Sequence, residues 1–301
     1  MSAGDWGGMG LERPPLVVIA GPTASGKSAH ALALADARGG VLINADASQV
    51  YADLPILSAG PGAAELARAP HRLFGTIDGA VACTAAQWAA LARVEIAAAH
   101  AAGLLPILVG GTGLYLRTLL EGIAPVPGID AAVRAAVRAM APAEVRARLE
   151  VEDPPMAARL HPNDAQRNAR ALEVVRATGR SLGVWQAAPP EGGLAGAVML
   201  EPLVIDRPRG ELVQRIDARV EAMWAEGALH EVERLAARGL SPALPVMRAI
   251  GVPPLMAHLA GALTADAAIA RWKLDTRQYA KRQATWLRNQ LGDWPRHPAP
   301  A

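Results

Sequence analysis

A glycine-rich loop placed between an apolar run and a helical stretch constrains the fold of this chain more than any other feature. The loop reads Gly21-Pro22-Thr23-Ala24-Ser25-Gly26-Lys27-Ser28, fits the pattern G-x-x-x-x-G-K-S/T, and directly follows the apolar run 16–20. In such a strand, loop and helix, the backbone N–H groups, the helix dipole and the lysine converge on one concavity. The sequence therefore predicts a site for two linked phosphates at residues 21–28. Mg²⁺ is the expected cofactor, with Ser28 as its ligand.

Short apolar runs alternate with helical stretches over the first 120 residues. The predicted strands are 16–20, 41–45 and 106–109, and the predicted helices extend to about residue 38 and over 85–102. This alternation is typical of βαβ units with a parallel sheet. A later apolar run, 199–205, predicts one more buried strand that returns to the sheet.

A turn-rich stretch at 122–128 interrupts this alternation, and the chain is then helical and rich in arginine to about residue 183. Loop composition follows at 187–197, and helices are predicted again over 210–238 and 265–291. We therefore predict an α/β fold in which helices flank a P-loop parallel sheet, with an inserted small all-helical domain. The P-loop core is assigned to 1–124 and 198–301, and the inserted domain to 125–197.

Composition narrows the class of protein further. The chain has 301 residues, 51% of them hydrophobic, a formal net charge of +2 and one cysteine, Cys83. A single cysteine forms no internal disulfide, and there is no uninterrupted apolar run long enough to span a membrane. Residues 1–13 lack the pattern of a secretory signal. We expect a cytoplasmic protein with no membrane partner that acts as a monomer.

Two further loops follow predicted strands, where parallel sheets bind their ligands. The first contains Asp46, Ala47, Ser48 and Gln49, and Asp46 is a candidate base or metal ligand. Its alternative role is that of a helix N-cap, which aspartate also favours. The second is 109–115, where glycines allow close approach of a ligand and Thr112 offers a hydroxyl; a plain glycine turn is the alternative.

The last predicted helix is strongly basic. Between residues 271 and 288 it has six basic residues against Asp275, and its aromatic residues recur every seven positions; the basic residues are Arg271, Lys273, Arg277, Lys281, Arg282 and Arg288, and the aromatic ones Trp272, Tyr279 and Trp286. We expect the aromatics to pack in the core, and the charges to form either an RNA-binding stripe or a merely solvated face. A second basic segment, 166–170 with Arg176 and Arg180, favours a long polyanion as the partner.

Taken together, these segments resemble the tRNA dimethylallyltransferases along almost the whole chain. The resemblance is carried by the loop 21–28 and, in the family's order, by Asp46 with 49–51, 70–73, 109–112, 161–164, 166–167, 170–173, 281–283 and 285–288. The chain departs from the family pattern at Ala47, where a serine is common, and at Val252, where many relatives have tyrosine.

The resemblance implies transfer of the dimethylallyl group from dimethylallyl diphosphate to N6 of adenosine 37, beside the anticodon of tRNA. Asp46 would be the base, and Thr112 would lie near the oxygen that joins the prenyl group to the diphosphate. The diphosphate would be bound by Gly21, Pro22, Thr23, Ala24, Ser25, Gly26, Lys27, Ser28 and Arg248. Contacts to the tRNA anticodon stem-loop are implied for Asp46, Ala47, Ser48, Gln49, Thr112, Arg134, Gln166, Arg167, Asn168, Ala169, Arg170, Arg248, Gly251, Lys281, Arg282, Gln283, Trp286 and Arg288.

Two other functions are compatible with the loop alone. A nucleotide or small-molecule kinase uses the same loop, but it does not need the basic stripe near the end of the chain. An RNA-binding module with an inactive loop is expected to have lost Lys27 or Ser28, and both residues are present.

Overall fold

The computed structural model describes residues 13–298, which form two compact units. One unit comprises the chain up to Leu120 and from Leu194 onward, and the other comprises Glu121–Gly193. The strands are β1 (Pro15–Ala20), β2 (Gly40–Asn44), β3 (His71–Arg72), β4 (Leu105–Gly110), β5 (Gly122–Ile123), β6 (Glu191–Gly192), β7 (Met199–Asp206) and β8 (Arg296–Pro298). The expectation that the N-terminal segment carries no secretory signal concerns residues that, apart from Arg13, lie outside the described part.

Helices alternate with strands as far as β5 and then come in two consecutive groups, one before β6 and one after β7. They are α1 (Lys27–Arg38), α2 (Ala63–Leu66), α3 (Ala85–Ala101), α4 (Gly113–Leu120), α5 (Ala131–Ala139), α6 (Pro142–Glu152), α7 (Pro154–Arg159), α8 (Ala165–Thr178), α9 (Leu182–Ala187), α10 (Arg209–Ala225), α11 (Ala228–Ala237), α12 (Val252–Leu259) and α13 (Ala265–Gln290), with a 3₁₀ turn at Val246–Arg248. No helix in residues 13–298 is long and apolar enough to cross a membrane.

The sheet of the first unit has six strands in the order β3-β2-β4-β1-β7-β8, and every neighbouring pair is parallel. β1 lies between β4 and β7, with Val18 opposite Leu108 on one side and Pro202 on the other. The predicted α/β class with a helix-flanked parallel sheet is confirmed. All the strands end at the same edge, so the loops after β1, β2 and β4 are neighbours.

Alternate residues of β1 face the two layers that cover the sheet, as expected for a period of two. Val17 and Ile19 pack with Ala31, Leu32 and Ala35 of α1. Leu16, Val18 and Ala20 belong to the larger core, which includes residues of α3, α4, α10, α11, α12 and α13. Burial on both faces explains why these strands are continuous apolar runs in the sequence.

Two short strands escaped the sequence interpretation. β3 adds two residues to the edge of the sheet beside β2, and β8 continues the opposite edge after Pro295. Runs of two or three residues contain too little periodicity to predict. The helical stretch 210–238 is two helices, because Gly227 has φ of 101° between them.

The second unit has its own core beneath α5–α9, built from buried side chains that include Val137, Leu149 and Leu172. Its first and last residues pair as the antiparallel strands β5 and β6, so it is not purely helical as predicted. It spans 121–193, whereas the predicted insertion spans 125–197. The shift at the second boundary has a backbone cause: the N–H groups of Leu194 and Ala195 donate to the carbonyls of Leu119 and Leu120 in the sheet unit.

Candidate active site

The phosphate loop lies between the end of β1 and the first residue of α1, in the conformation that its glycines require. Gly26 precedes the helix with φ of 95°, a left-handed conformation that glycine adopts without strain. At Gly21 a Cβ would lie 2.6 Å from Ser25 Oγ and 2.9 Å from the carbonyl oxygen of Ile205. The backbone is thus folded too tightly at this point for any side chain.

Two side chains of the loop are set up for an anion. Burial lowers the pKa of Lys27 to about 8, an effect that Asp46 opposes and Arg219 reinforces. The Lys27 Nζ donates only a long hydrogen bond, 3.4 Å, to the carbonyl of Pro22. Ser25 Oγ is fully buried without a hydrogen-bond partner within residues 13–298. A phosphate oxygen would stabilise both the lysine charge and the serine hydroxyl.

Helix α10 and the residues before it contribute three arginines around the loop. Arg215 Nε donates to the carbonyl of Ala24 at 3.0 Å, and Arg207 Nε to that of Ser25 at 3.4 Å. Arg219 is half-buried and lines the adjacent cavity, and burial lowers its pKa with a smaller contribution from Arg215. Sequence reasoning missed Arg219, although a cation within the apolar spacing of Ile216, Val220 and Met223 is a usable signal.

Arg248, which was expected to bind the diphosphate, lies elsewhere. Its exposed guanidinium donates to the carbonyls of Pro242 and Ala243, the latter at 2.7 Å. The side chain therefore folds onto the loop that precedes its own 3₁₀ turn. In this conformation Arg219, not Arg248, is the arginine that faces the cavity beside the phosphate loop.

Asp46 sits at the end of β2 in a backbone conformation that Asn44 holds. The buried Asn44 side chain accepts the Asp46 N–H at 2.8 Å and donates to the carbonyls of Asp46 and Leu73, each at 3.0 Å. One carboxylate oxygen of Asp46 accepts the N–H of Ser48 at 2.9 Å, so Asp46 caps a turn as well as facing the cavity. No helix begins here, since the next one is α2, so the alternative of a helix N-cap is wrong and Asp46 caps a turn instead.

Thr112 reaches Asp46's loop from the end of β4. Its Oγ1 accepts the N–H of Ala47 at 2.9 Å, and its own N–H donates to the carbonyl of Ala45 at 3.2 Å. The two loops touch because Gly110 has no Cβ, which would lie 2.2 Å from the Ala45 carbonyl. Ala47 therefore contributes its backbone N–H to this contact, while its side chain packs against the larger core.

Gln283 of α13 links the two loops instead of facing solvent. Its Oε1 accepts the N–H of Thr23 at 2.8 Å, and its Nε2 donates to the carbonyl of Gly111 at 3.0 Å. Gln283 is only 5% exposed, so its predicted contact with RNA is replaced by an internal bridge between the phosphate loop and the Thr112 loop.

A cavity opens beside these groups and is lined mainly by two helices. The polar lining comes from Thr23, Asp46, Ser48 and Arg219, together with Tyr279, whose pKa is raised by burial and by the nearby Asp46 carboxylate. The apolar lining comes from Leu57, Ile216, Val220, Met223, Ile250 and Trp272. One chamber thus joins cationic and carboxylate groups to an apolar lining.

Gly251 and Gln49, predicted to contact RNA, support this chamber. Gly251 has φ of 98°, and a Cβ there would lie 2.7 Å from the Trp272 indole nitrogen. The Gln49 amide donates to the carbonyls of Ser58 and Ala59, which belong to the cavity wall.

The basic stripe of α13 divides into two parts. Lys273 and Arg277 form ion pairs with Glu221 and Asp217 of α10, and Arg271 pairs with Asp275. Lys281, Arg282 and Arg288 are exposed, and no acidic side chain within residues 13–298 forms an ion pair with them. Gln278, Lys281, Arg282, Thr285, Trp286, Asn289 and Gln290 line an open groove on this part of α13.

The aromatic residues of α13 follow the expected core packing only in part. Trp272 is fully packed, at 2% exposure, whereas Trp286 is half-buried with its ring against the backbone of Gly113. Trp286 therefore presents one edge to the groove, as its predicted RNA contact requires.

In the second unit the predicted RNA contacts differ in accessibility. Gln166 and Arg167 are exposed at the start of α8, as is Arg134 on α5, and Ala169 and Arg170 are half-buried. Asn168 is 1% exposed and donates to the carbonyls of His161 and Pro162. Its side chain closes a turn inside the unit, so it is not placed to contact RNA.

The sheet unit has a phosphate loop, a carboxylate and a hydroxyl at neighbouring strand ends, and a part-apolar chamber beside them. These features are those of an α/β group-transfer enzyme whose substrate is phosphorylated and partly apolar.

Comparisons with known proteins give the family. The family described as IPP transferase matches residues 49–290. A tRNA dimethylallyltransferase of Sphingopyxis alaskensis is 60% identical over 284 residues, which cover 94% of this chain and 92% of the relative. The chain therefore belongs to the IPP transferase family, whose members modify tRNA by prenyl transfer.

Solved structures agree with this assignment. The tRNA isopentenylpyrophosphate transferase of Bacillus halodurans is 32% identical, with a TM-score of 0.68 over 95% of this chain and 90% of that one. A eukaryotic dimethylallyltransferase, crystallised acting on tRNA, is 29% identical with a TM-score of 0.80 and covers 95% of this chain and 74% of its own.

Proposed function

We propose that this enzyme transfers the dimethylallyl group of dimethylallyl diphosphate to N6 of adenosine 37 in tRNA and releases diphosphate. The observation that carries the proposal is the chamber beside the phosphate loop. Its wall contains Arg219 and the phosphate-loop residue Thr23, which suit a diphosphate, apolar side chains, which suit a prenyl group, and the Asp46 carboxylate. Thr112 is hydrogen-bonded to the loop that carries Asp46. A kinase site has no comparable need for the apolar part.

The cations stabilise the leaving group. As the allylic carbon separates from its oxygen, negative charge develops on the diphosphate, and Lys27, Arg219 and the loop N–H groups are positioned before the reaction begins. Both side chains are half-buried, so their charges act more strongly than they would on a fully exposed surface.

Mg²⁺ fits this site as an ion shared with the substrate. Within residues 13–298, no three His, Cys, Asp or Glu side chains are grouped to hold a metal. Magnesium commonly keeps several waters and binds one or two protein oxygens together with substrate phosphates. The exposed Ser28 hydroxyl, in the first turn of α1, is the protein oxygen proposed to bind it. When bound, the ion would neutralise diphosphate charge.

Asp46 is suited to accept the proton that N6 loses when it bonds to carbon. The Asn44 side chain fixes its backbone, and the Ser48 N–H orients one carboxylate oxygen. Thr112 is held within the same loop contact through Ala47. Its hydroxyl would lie beside the oxygen that joins the prenyl group to the diphosphate.

The target adenine must leave its stack to enter this chamber, which is less costly in an anticodon loop than in a duplex. The exposed cations Lys281, Arg282 and Arg288, the half-buried Trp286, and the exposed α8 residues Gln166 and Arg167 are the proposed tRNA contacts. One chain supplies all the catalytic groups, so a monomer is expected to suffice. A tRNA substrate implies a cytoplasmic protein.

The test is a transfer assay with unmodified tRNA, Mg²⁺ and radiolabelled dimethylallyl diphosphate, run beside radiolabelled ATP. We expect label from the prenyl donor in tRNA and none from ATP. Asp46→Asn should reduce kcat by roughly 10²–10⁴-fold while tRNA binding is retained. Transfer from ATP alone would contradict the function, and full activity of Asp46→Asn would contradict the role of the base.

A further inference from the structure

The orientation of the chamber is fixed by the pairing of α10 and α13. Asp217 of α10 pairs with Arg277 of α13, and one turn later Glu221 pairs with Lys273, one turn earlier on the other helix. The two helices are therefore antiparallel in a defined register. Residues nearer the C-terminal end of α10 therefore lie opposite residues nearer the N-terminal end of α13.

The phosphate loop marks one end of this helix pair. Arg215 of α10 donates to the loop carbonyl of Ala24, and Gln283 of α13 accepts the N–H of Thr23. Moving away from the loop along α10, Arg219 comes first and Met223 follows, about 6 Å further along the helix axis. On α13 the corresponding path leads from Tyr279 to Trp272, about 10 Å away. Met223 and Trp272 therefore lie at the end of the lining remote from the phosphates.

This end of the chamber is a rigid wall. Met223 is 8% exposed and Trp272 2%. The Trp272 indole lies where a side chain at Gly251 would be, and the same absent Cβ would lie 3.1 Å from Leu57 Cδ1. The buried Glu231 carboxylate accepts the N–H groups of Ile56 and Leu57 at 2.7 and 2.9 Å, which immobilises that segment. Moving the segment at Leu57 would break its hydrogen bonds to Glu231, and moving the Trp272 indole would leave a void beside Gly251.

We infer that Met223 and Trp272 set the length of the prenyl group, so that a five-carbon donor fits between them and Arg219 while a ten-carbon donor does not. This inference rests on the proposed function. With either donor the C1–O bond breaks as the N6–C1 bond forms, the proton of N6 passes to Asp46, and diphosphate leaves. The chemistry is the same, so a difference in rate reports the length of the chamber.

The experiment compares kcat/KM for dimethylallyl diphosphate and geranyl diphosphate in the wild type, Met223→Ala and Trp272→Phe. The wild type should prefer the five-carbon donor by at least about 100-fold, because the longer chain must displace packed side chains. Each enlarged variant should lower this preference by at least about tenfold. Met223→Leu, which nearly conserves volume, is the matched control and should retain it.

Each result is decisive. Efficient use of geranyl diphosphate by the wild type, or an unchanged preference in a folded enlarged variant, overturns the inference. Trp272→Phe and Met223→Ala open the same wall from different helices, so one of them suffices if the other fails to fold. If the wild type transfers no five-carbon group, the proposed function itself is contradicted. If the wild type transfers it but the enlarged variants stay selective, only the inference about Met223 and Trp272 is contradicted.

Discussion

Two sets of cations in the sheet unit differ in what surrounds them. Lys27 and Arg219 are withdrawn from water beside the phosphate loop, and burial lowers the pKa of each. Lys281, Arg282 and Arg288 near the end of α13 are exposed. The buried set matches a small, fixed diphosphate, whereas the exposed set matches an extended polyanion whose binding depends on salt.

The comparison also shows that charge in the sequence is not the same as charge available for binding. Lys273 and Arg277 belong to the same basic stripe as Lys281 and Arg288, but the acidic residues of α10 neutralise them. These ion pairs orient α10 against α13, and so they shape the chamber. The exposed cations Lys281, Arg282 and Arg288 of α13 remain accessible to a partner.

The largest expected effect is at Lys27. Lys27→Met should lower kcat/KM for the prenyl donor by roughly 10³-fold, because the developing diphosphate charge loses the positive charge of the phosphate loop. Steady-state kinetics and filter binding with tRNA measure this. The tRNA affinity should stay within about twofold, since Lys27 is not part of the exposed set. A comparable loss of tRNA affinity would remove the distinction between the two sets.

A smaller effect is expected at Arg219, with Arg248 as the matched control. Arg219→Ala should raise KM for the donor and lower kcat/KM by about 10²-fold, because a cation that faces the chamber is lost. Arg248→Ala removes a guanidinium that contacts the carbonyls of Pro242 and Ala243, and it should leave KM for the donor within about twofold. A larger loss of kcat/KM in Arg248→Ala than in Arg219→Ala would indicate that Arg248 binds the diphosphate.

The exposed set is tested with a pair of double variants. The double variant Lys281→Ala with Arg288→Ala should weaken tRNA binding by about tenfold. The logarithm of its association constant should also fall less steeply with the logarithm of the salt concentration, the slope decreasing in magnitude by about 1 to 2. Binding titrations at several salt concentrations measure both quantities. Lys273→Ala with Arg277→Ala removes equal charge from the paired half of the stripe and should leave the slope nearly unchanged. A slope equal to that of the wild type in Lys281→Ala with Arg288→Ala would mean that the exposed cations do not bind RNA.

The smallest effect is expected at the bridge between the two loops. Gln283→Leu leaves the Thr23 N–H and the Gly111 carbonyl without their partners and should cost about 1 to 3 kcal/mol of unfolding free energy. Urea titration measures this loss, and the salt dependence of tRNA binding should stay as in the wild type. A lower salt slope with unchanged stability would instead place Gln283 at the RNA surface.

The sequence predicted the central strands well because they are buried on both faces and therefore appear as continuous apolar runs. The loops that follow these runs were the places to look for functional residues. The sequence also predicted the proximity of Asp46 and Thr112, since the ends of parallel strands meet at one edge. Asn168, Gln283 and Arg248 show what such prediction does not resolve. Polar residues in a motif look alike whether they face a ligand, close a turn or bridge two loops, and only their hydrogen-bond partners separate these roles.

Local pattern and the order of motifs were enough to predict the phosphate-binding loop, the parallel sheet and the family. Which cations are neutralised, that Arg219 faces the chamber, and that Met223 and Trp272 line its far end are seen only in the folded chain. Burial and pairing depend on residues that are distant in sequence. Asp217 and Arg277, for example, stand 60 positions apart, and no local pattern predicts that their charges meet.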